Sequence, residues 1–146
     1  TLKEALKNKP QIQLCNPSPS SWGQGGFHNY WLNESNSWIV TQWSKAGKEM
    51  INICSKGLKE ESNIKILKQA GRELLLSQSS DWSFILKAGT TTELARERIN
   101  LHLKRFWMLI NAIKNNKNID PNILEKIEKE DCIFPLISPI DWKKKS

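Results

Sequence analysis

No apolar run in this 146-residue sequence approaches the ~18 residues that a membrane helix needs, so a bilayer-spanning segment is excluded and no membrane partner is expected. Cysteine is scarce. Cys15, Cys54 and Cys132 are odd in number and widely spaced, with no CxxC pair and only His28 and His102 to join them as ligands. That excludes a disulfide framework and a structural zinc site, and points to a reduced, cytoplasmic chain without metal. Phosphate loops of the GxxxxGK[ST] and GxGxxG types are absent. Gly23, Gly25 and Gly26 lie among tryptophans that would crowd a phosphate, so no nucleotide or other cofactor is expected. There is no GxSxG nucleophile elbow and no internal repeat. The opening 1–9 begins on Thr and is charged, with no apolar signal core behind it, as expected of a trimmed start or a piece of a longer chain. The net charge of +7 is spread along the chain, and only Lys143 to Lys145 form a run. These lysines read as solvated helix faces, and no nucleic-acid partner is expected.

Against these absences stands the stretch 20–33, which packs Trp22, Trp31, Tyr30, His28 and three glycines into fourteen residues without helical or strand periodicity. Two readings fit it. One is a shaped surface loop, in which glycines turn the backbone and aromatic groups bind a ligand. The other is a wide turn whose tryptophans enter the core.

Elsewhere the sequence predicts helices. Thr1 and Glu4 fit a capping box at the start of a helix over 2–8. Pro10 stops it, and 11–15 alternates polar and apolar as a strand does, although nothing later reads as a strand to pair with it. Ile39, Trp43, Ala46, Met50 and Ile53 form a stripe along a helix over 35–55 that Gly57 can end. Trp38 and Trp43 read as core on that helix. Ile64, Leu67, Gly71, Leu74 and Gln78 mark a helix over 62–78, and one further step on the same face reaches Asp81. An apolar seam that ends in an amide and a carboxylate must find partners or open on a cleft. Asp81 therefore either caps a short helix over 82–87 or serves a ligand. Gly89 breaks the chain, and the hydroxyls of Thr90 to Thr92 are placed to cap a long helix that runs to Lys114. His102 lies inside the apolar row of that helix, as a satisfied core histidine would. Asp120 and Pro121 start a last helix to about Glu130. Two prolines then make 132–142 an extended tail.

Aromatic platforms beside Asp and Gln suit a sugar, whose apolar face stacks on indole while its hydroxyls bind the polar groups. The wording of the motifs is more specific. Ser-Ser-Trp22-Gly-x-Gly-Gly followed by Trp31-Leu-Asn, then Arg72-Glu-Leu-Leu-Leu-Ser-Gln-Ser-Ser-Asp81-Trp82-x-Phe-Ile, and finally Ile133-Phe-Pro135, resembles the C-terminal part of the α-1,4-glucan branching enzymes of glycoside hydrolase family 57. The resemblance covers nearly the whole chain.

It implies a mainly all-α fold, a bundle of about four main helices preceded by a short helix and one strand left over from a (β/α)7 barrel. The implied divisions are 1–19 for the end of the barrel, 20–34 for the substrate loop and 35–146 for the helical domain. It implies retaining cleavage of an α-1,4 bond and transfer to a 6-hydroxyl by two carboxylates that lie upstream, so no catalytic residue is expected here. Trp22 and Trp31 match the family's cleft tryptophans and Asp81 its substrate-binding aspartate. Gln78 joins them from the seam argument alone. Phe27 to Tyr30 fall outside the family pattern, which leaves the role of His28 open. The implied partners are an α-glucan, such as amylose or glycogen-like chains, and the upstream barrel of the same polypeptide. A hydrolase of the α-amylase type and a stand-alone glucan-binding module are the other readings that the motifs allow.

Overall fold

The structure, a computed structural model, describes residues 1–7, 14–56 and 61–144. Among these residues the fold is all-α, as the sequence predicts, and none is in a strand. Six α-helices follow in order: α1 (Leu2–Lys7), α2 (Ser37–Ser55), α3 (Glu61–Ser77), α4 (Ser80–Ala88), α5 (Thr92–Lys114) and α6 (Pro121–Glu130), with 3-10 turns at Gln24–Gly26 and Pro139–Trp142. The expected strand over 11–15 lies mostly outside the described residues. Its last two positions, Leu14 and Cys15, are exposed and belong to no regular element. The expected stop at Gly57 also lies outside them.

α3 and α5 form the central pair. Each presents an apolar stripe at four-three spacing, and the stripes meet along their length. Leu67, Ala70 and Leu74 of α3 face Ala95, Ile99, Phe106, Leu109 and Ile110 of α5, all removed from solvent. α2 adds Ile39, Ala46 and Met50 to the same core, with Trp38 and Trp43 partly buried against it. Each fully buried Leu, Ile or Phe side chain contributes about 1.5–3 kcal/mol relative to its exposed state, so these rows hold the bundle together.

The helix ends follow local chemistry at most positions. Glu4 N–H donates to Thr1 Oγ1 at 3.4 Å, as a capping box requires. Asp120 Oδ1 accepts from Asn122 N–H at 2.8 Å, with Pro121 at the first helical position. Gly89 ends α4 in the left-handed region at φ 76°, its N–H donating to the Ile85 carbonyl. α5 differs from expectation. Its N-cap is Thr91, and the hydroxyl makes no capping bond, because Thr91 sits at φ 45° rather than in the extended region from which a cap reaches into the first turn.

The tail 132–138 forms no helix but is not the extended segment expected from its prolines: Phe134 is left-handed at φ 52° and Ile137 N–H donates to the Phe134 carbonyl at 3.1 Å across a turn at Pro135, and the tail then closes on a 3-10 turn held by a capping box between Ser138 and Asp141. That turn lays Trp142 and Ile137 across Gly71, in the middle of α3. A Cβ at Gly71 would come within 2.7 Å of Trp142 Cη2, so only glycine allows the tail to seat this closely.

Candidate functional site

The stretch 20–33 leaves the core and forms a loop at the end of the bundle where α2 begins and α3 passes into α4. Its backbone is bent by a run of left-handed residues, Gly23, Gly25, Gly26 and His28. Ser21 N–H donates to the Gly26 carbonyl at 2.7 Å, and the Ser21 hydroxyl accepts from His28 N–H at 2.6 Å, which closes the turn on itself. At Gly23 a Cβ would meet Tyr30 Cδ2 at 2.9 Å, so the tyrosine packs on bare backbone.

This folding gathers rings. Trp22 lies 5.8 Å from Tyr30, 6.2 Å from Trp31 and 6.2 Å from Phe84, centroid to centroid, tilted against all three. Tyr30 and Phe84 stack at 5.2 Å with an interplanar angle of 16°. Tilted and offset contacts of this kind place the positive edge of one ring near the negative face of the next. The Trp22 indole is nonetheless 68% exposed. Of the two sequence readings for this stretch, the surface loop is the one the structure adopts at Trp22, while Tyr30 and Trp31 are half-buried beneath it.

Phe84 comes from α4, and beside its ring contacts one buried amide also joins α4 to the loop. Asn36, fully buried at the start of α2, donates from Nδ2 to the Tyr30 carbonyl at 3.0 Å and to the Ser83 carbonyl at 3.3 Å, while its Oδ1 accepts from Asn33 N–H at 2.8 Å. A buried amide with all three contacts made sets the spacing of the elements it joins. The residues next to two of those contacts, Tyr30 itself and Phe84, are the stacked pair.

Asp81 lies in the first turn of α4 and is exposed. It is not the cap of that helix: Ser79 holds the N-cap position and donates its hydroxyl to Asp81 Oδ2 at 3.2 Å. Capping alone therefore does not account for Asp81. Three residues separate it from Phe84, so carboxylate and ring stand on neighbouring parts of one helix face. Gln78 is exposed just past the end of α3, where its N–H closes the last turn onto the Leu74 and Leu75 carbonyls. The apolar seam of α3 thus runs out to solvent at Gln78 and Asp81, and neither is a buried polar group in need of a partner. Trp22 and Trp31 are brought into contact, and Phe84, which touches Trp22, lies one turn along α4 from Asp81. Sequence reasoning gave no role to Phe84 or Asn36; the three-residue step from Asp81 to Phe84 was the available signal.

A second polar cluster lies inside the bundle. His102 Nδ1 is 2.8 Å from Glu73 Oε2 and 3.7 Å from Asp131 Oδ2. Gln69 Nε2 donates to Glu73 Oε1 at 2.8 Å, and Arg105 reaches Asp131 at 2.5 Å and Glu130 beside it. Arg72 Nε donates to the Ile133 carbonyl at 2.8 Å and ties the tail to the same cluster. Burial holds the Glu73 carboxyl above its ordinary range, against the pull of the His102 and Gln69 hydrogen bonds. His102 is the satisfied core histidine that its apolar row predicts. Glu73, His102 and Asp131 are the trio among the described residues with metal-ligand chemistry, their donor atoms within 4.8 Å of one another. Arg105 and Gln69 already engage the two carboxylates, so the arrangement works as an internal ion cluster. Burial pushes the Cys54 thiol up to about 11, which makes it a poor nucleophile, and all three cysteines are free. No helix of the described residues is long and apolar enough to cross a membrane.

The family model described as "1,4-alpha-glucan branching enzyme, C-terminal" matches residues 42–142, more than half of the chain. The chain belongs to this family. The branching-enzyme match includes Gln78, Asp81 and Phe84 and begins after Trp22 and Trp31. A curated relative, the 1,4-alpha-glucan branching enzyme TK1436 of Thermococcus kodakarensis, is 32% identical over 138 residues, which is 91% of this chain and 20% of that protein. The chain therefore spans about one fifth of the length of the curated relative it matches. Among solved structures, the GH57-type branching enzyme of Pyrococcus horikoshii superposes with a TM-score of 0.87 at 26% identity, over 99% of this chain and 28% of that one. The alpha-amylase AmyC of Thermotoga maritima superposes with a TM-score of 0.79 at 30% identity, over 100% of this chain and 26% of its own. The aromatic loop lies inside both structural alignments.

Proposed function

We propose that this chain is the helical C-terminal domain of a 1,4-α-glucan branching enzyme, and that its aromatic loop and the first turn of α4 hold the glucan beside a catalytic barrel supplied upstream in the same polypeptide. The observation that carries this reading is the solvent-exposed Trp22 indole, propped by three further rings, one of which, Phe84, stands one turn along α4 from Asp81. An indole face stacks on the apolar face of a pyranose, and Asp81 and Gln78 accept and donate hydrogen bonds at its hydroxyls. Trp31 underlies Trp22 as the second tryptophan of the platform.

On this reading 1–19 is the end of the barrel, 20–34 the substrate loop and 35–146 the helical domain. Cleavage of the α-1,4 bond and transfer to a 6-hydroxyl need two carboxylates about 5 Å apart, one as nucleophile and one as acid/base. Both belong to the upstream barrel. This chain orients the donor and acceptor glucan and supplies no catalytic group, so its place is in cytoplasmic glycogen-type branching as part of a transferase. No cofactor, nucleic acid or membrane enters the scheme.

The test is glucan binding by the 146-residue chain and its variants. Retention on immobilised amylose should fall about two- to tenfold for Trp22→Ala, since a stacked aromatic contact contributes about 0.5–1.5 kcal/mol. Asp81→Asn should weaken it less. Equal retention of wild type and Trp22→Ala refutes the platform. The likeness to the alpha-amylase AmyC favours a second reading, in which water rather than a glucan hydroxyl accepts the cleaved chain. Counting new α-1,6 linkages against new reducing ends, with the complete polypeptide, separates the two.

A further inference from the structure

We infer that Phe84 is a positioning residue: from α4 it sets the angle at which Trp22 faces solvent, and it ties that platform to Asp81. The inference rests on the glucan reading of the loop only for its consequence in binding; the geometry stands without it.

Three rings touch the Trp22 indole, and two of them, Tyr30 and Trp31, ride on the same loop. That loop is shaped by left-handed turns at Gly23, Gly25, Gly26 and His28 and carries no ladder of its own. Those two rings set the indole relative to the loop, and a ring from another element is needed to set it relative to α4. Phe84 does so, because it sits mid-way along α4, whose backbone is fixed by its own hydrogen bonds and by Asn36 at the Ser83 carbonyl. It meets Trp22 at 6.2 Å with a 44° tilt and is itself held flat against Tyr30 at 5.2 Å. The tilt sets which face of the indole is turned outward. Asp81 stands one turn earlier on the same helix face, so one rigid element sets both the carboxylate and the angle of the platform. Leucine at position 84 would fill much of the volume and lose the ring contact that defines this angle.

The experiment is a near-ultraviolet circular dichroism cycle on the 146-residue chain, with affinity for maltoheptaose as a second readout. The spectrum of wild type minus that of Trp22→Phe isolates the Trp22 signal. In the Phe84→Leu background the same difference should shrink by about half or more, and Phe84→Tyr, which keeps the ring, should restore it. Far-ultraviolet spectra of all variants should stay alike. Phe84→Leu should weaken maltoheptaose binding by about three- to tenfold in wild type and leave it unchanged in the Trp22→Ala background, because its effect passes through that indole. A Trp22 difference signal of full size in Phe84→Leu overturns the inference, as does an affinity loss that persists in Trp22→Ala. If Phe84→Leu alters the far-ultraviolet spectrum, Phe84→Tyr decides: a full-size Trp22 signal there supports the inference, and a lost one overturns it. Unchanged maltoheptaose binding in Trp22→Ala would refute the glucan reading alone, while the spectroscopic cycle still decides the role of Phe84.

Discussion

Replacing Asn36 by alanine should unfasten the aromatic loop from α4 and lower the stability of the whole chain by an amount that its contacts set. The side chain makes three hydrogen bonds, two donated to the Tyr30 and Ser83 carbonyls and one accepted from Asn33 N–H. Each is worth about 1 kcal/mol net, and a buried group left without its partner costs more, so the sum is about 2–4 kcal/mol. A loss of N-cap bonding adds nothing, because the Asn36 side chain makes no cap bond to α2. For a chain of this size each kcal/mol moves the melting temperature by roughly 2–4 °C, which gives a fall of roughly 5–15 °C. Thermal unfolding followed at 222 nm measures it, and near-ultraviolet dichroism should lose aromatic intensity below the transition. Asn36→Asp should be worse than alanine, since a buried carboxylate would face two carbonyl oxygens. A melting temperature within about 2 °C of wild type for Asn36→Ala, well under that expected fall, would refute the idea that this amide is the joint.

Gly71→Ala sets two effects against each other. Alanine gains about 0.5–1 kcal/mol of helix propensity, but its Cβ would lie 2.7 Å from Trp142, and overpacking costs about 1–3 kcal/mol, so a net loss is expected in urea unfolding; a stabilised variant would show that the tail lifts away freely. Glu73→Gln tests the buried cluster. The folded state holds the Glu73 proton more tightly than the unfolded chain, so wild-type stability should fall as pH rises from the ordinary carboxyl value of 4.5 through the raised one. Gln69, His102, Asp131 and Arg105 surround that carboxyl, and glutamine keeps the contact to Gln69. Urea midpoints across a pH series should therefore decline less steeply for the variant, and identical slopes would refute the assignment.

The helices were legible because a four-three apolar step leaves few alternatives: the stripes through Ile39 to Ile53 and Ala95 to Ile113 predicted α2 and α5 to within a turn. Gly89 and Asp120-Pro121 marked ends correctly, since each acts through its own backbone. Thr91 misled, because its left-handed φ of 45° takes the hydroxyl out of capping geometry, and a threonine gives no sign of that in the local sequence. The polar row Gln69, Glu73 and Ser77 lies beside the apolar stripe, where periodicity gives it no role. It is buried because its partners arrive from α5 and the end of α6, and only a tertiary fold shows that. For the candidate site, residue types and motif spacing brought out Trp22, Trp31 and Asp81. The angles between rings depend on four backbone bends in the loop and on an amide at position 36, which a periodicity argument does not reach.

The ion cluster at the heart of the bundle has a bearing on how this sequence can change. Removing one partner of a buried charge pair costs about 3–5 kcal/mol, whereas replacing the pair together by well-packed apolar residues is often neutral or stabilising. Glu73, His102, Arg105 and Asp131 come from α3, α5 and the residue after α6. A one-step change from the polar interior toward an apolar one therefore leaves a partner on another segment unpaired. A designer wishing to harden this bundle would have to rewrite three segments at once or leave the interior alone.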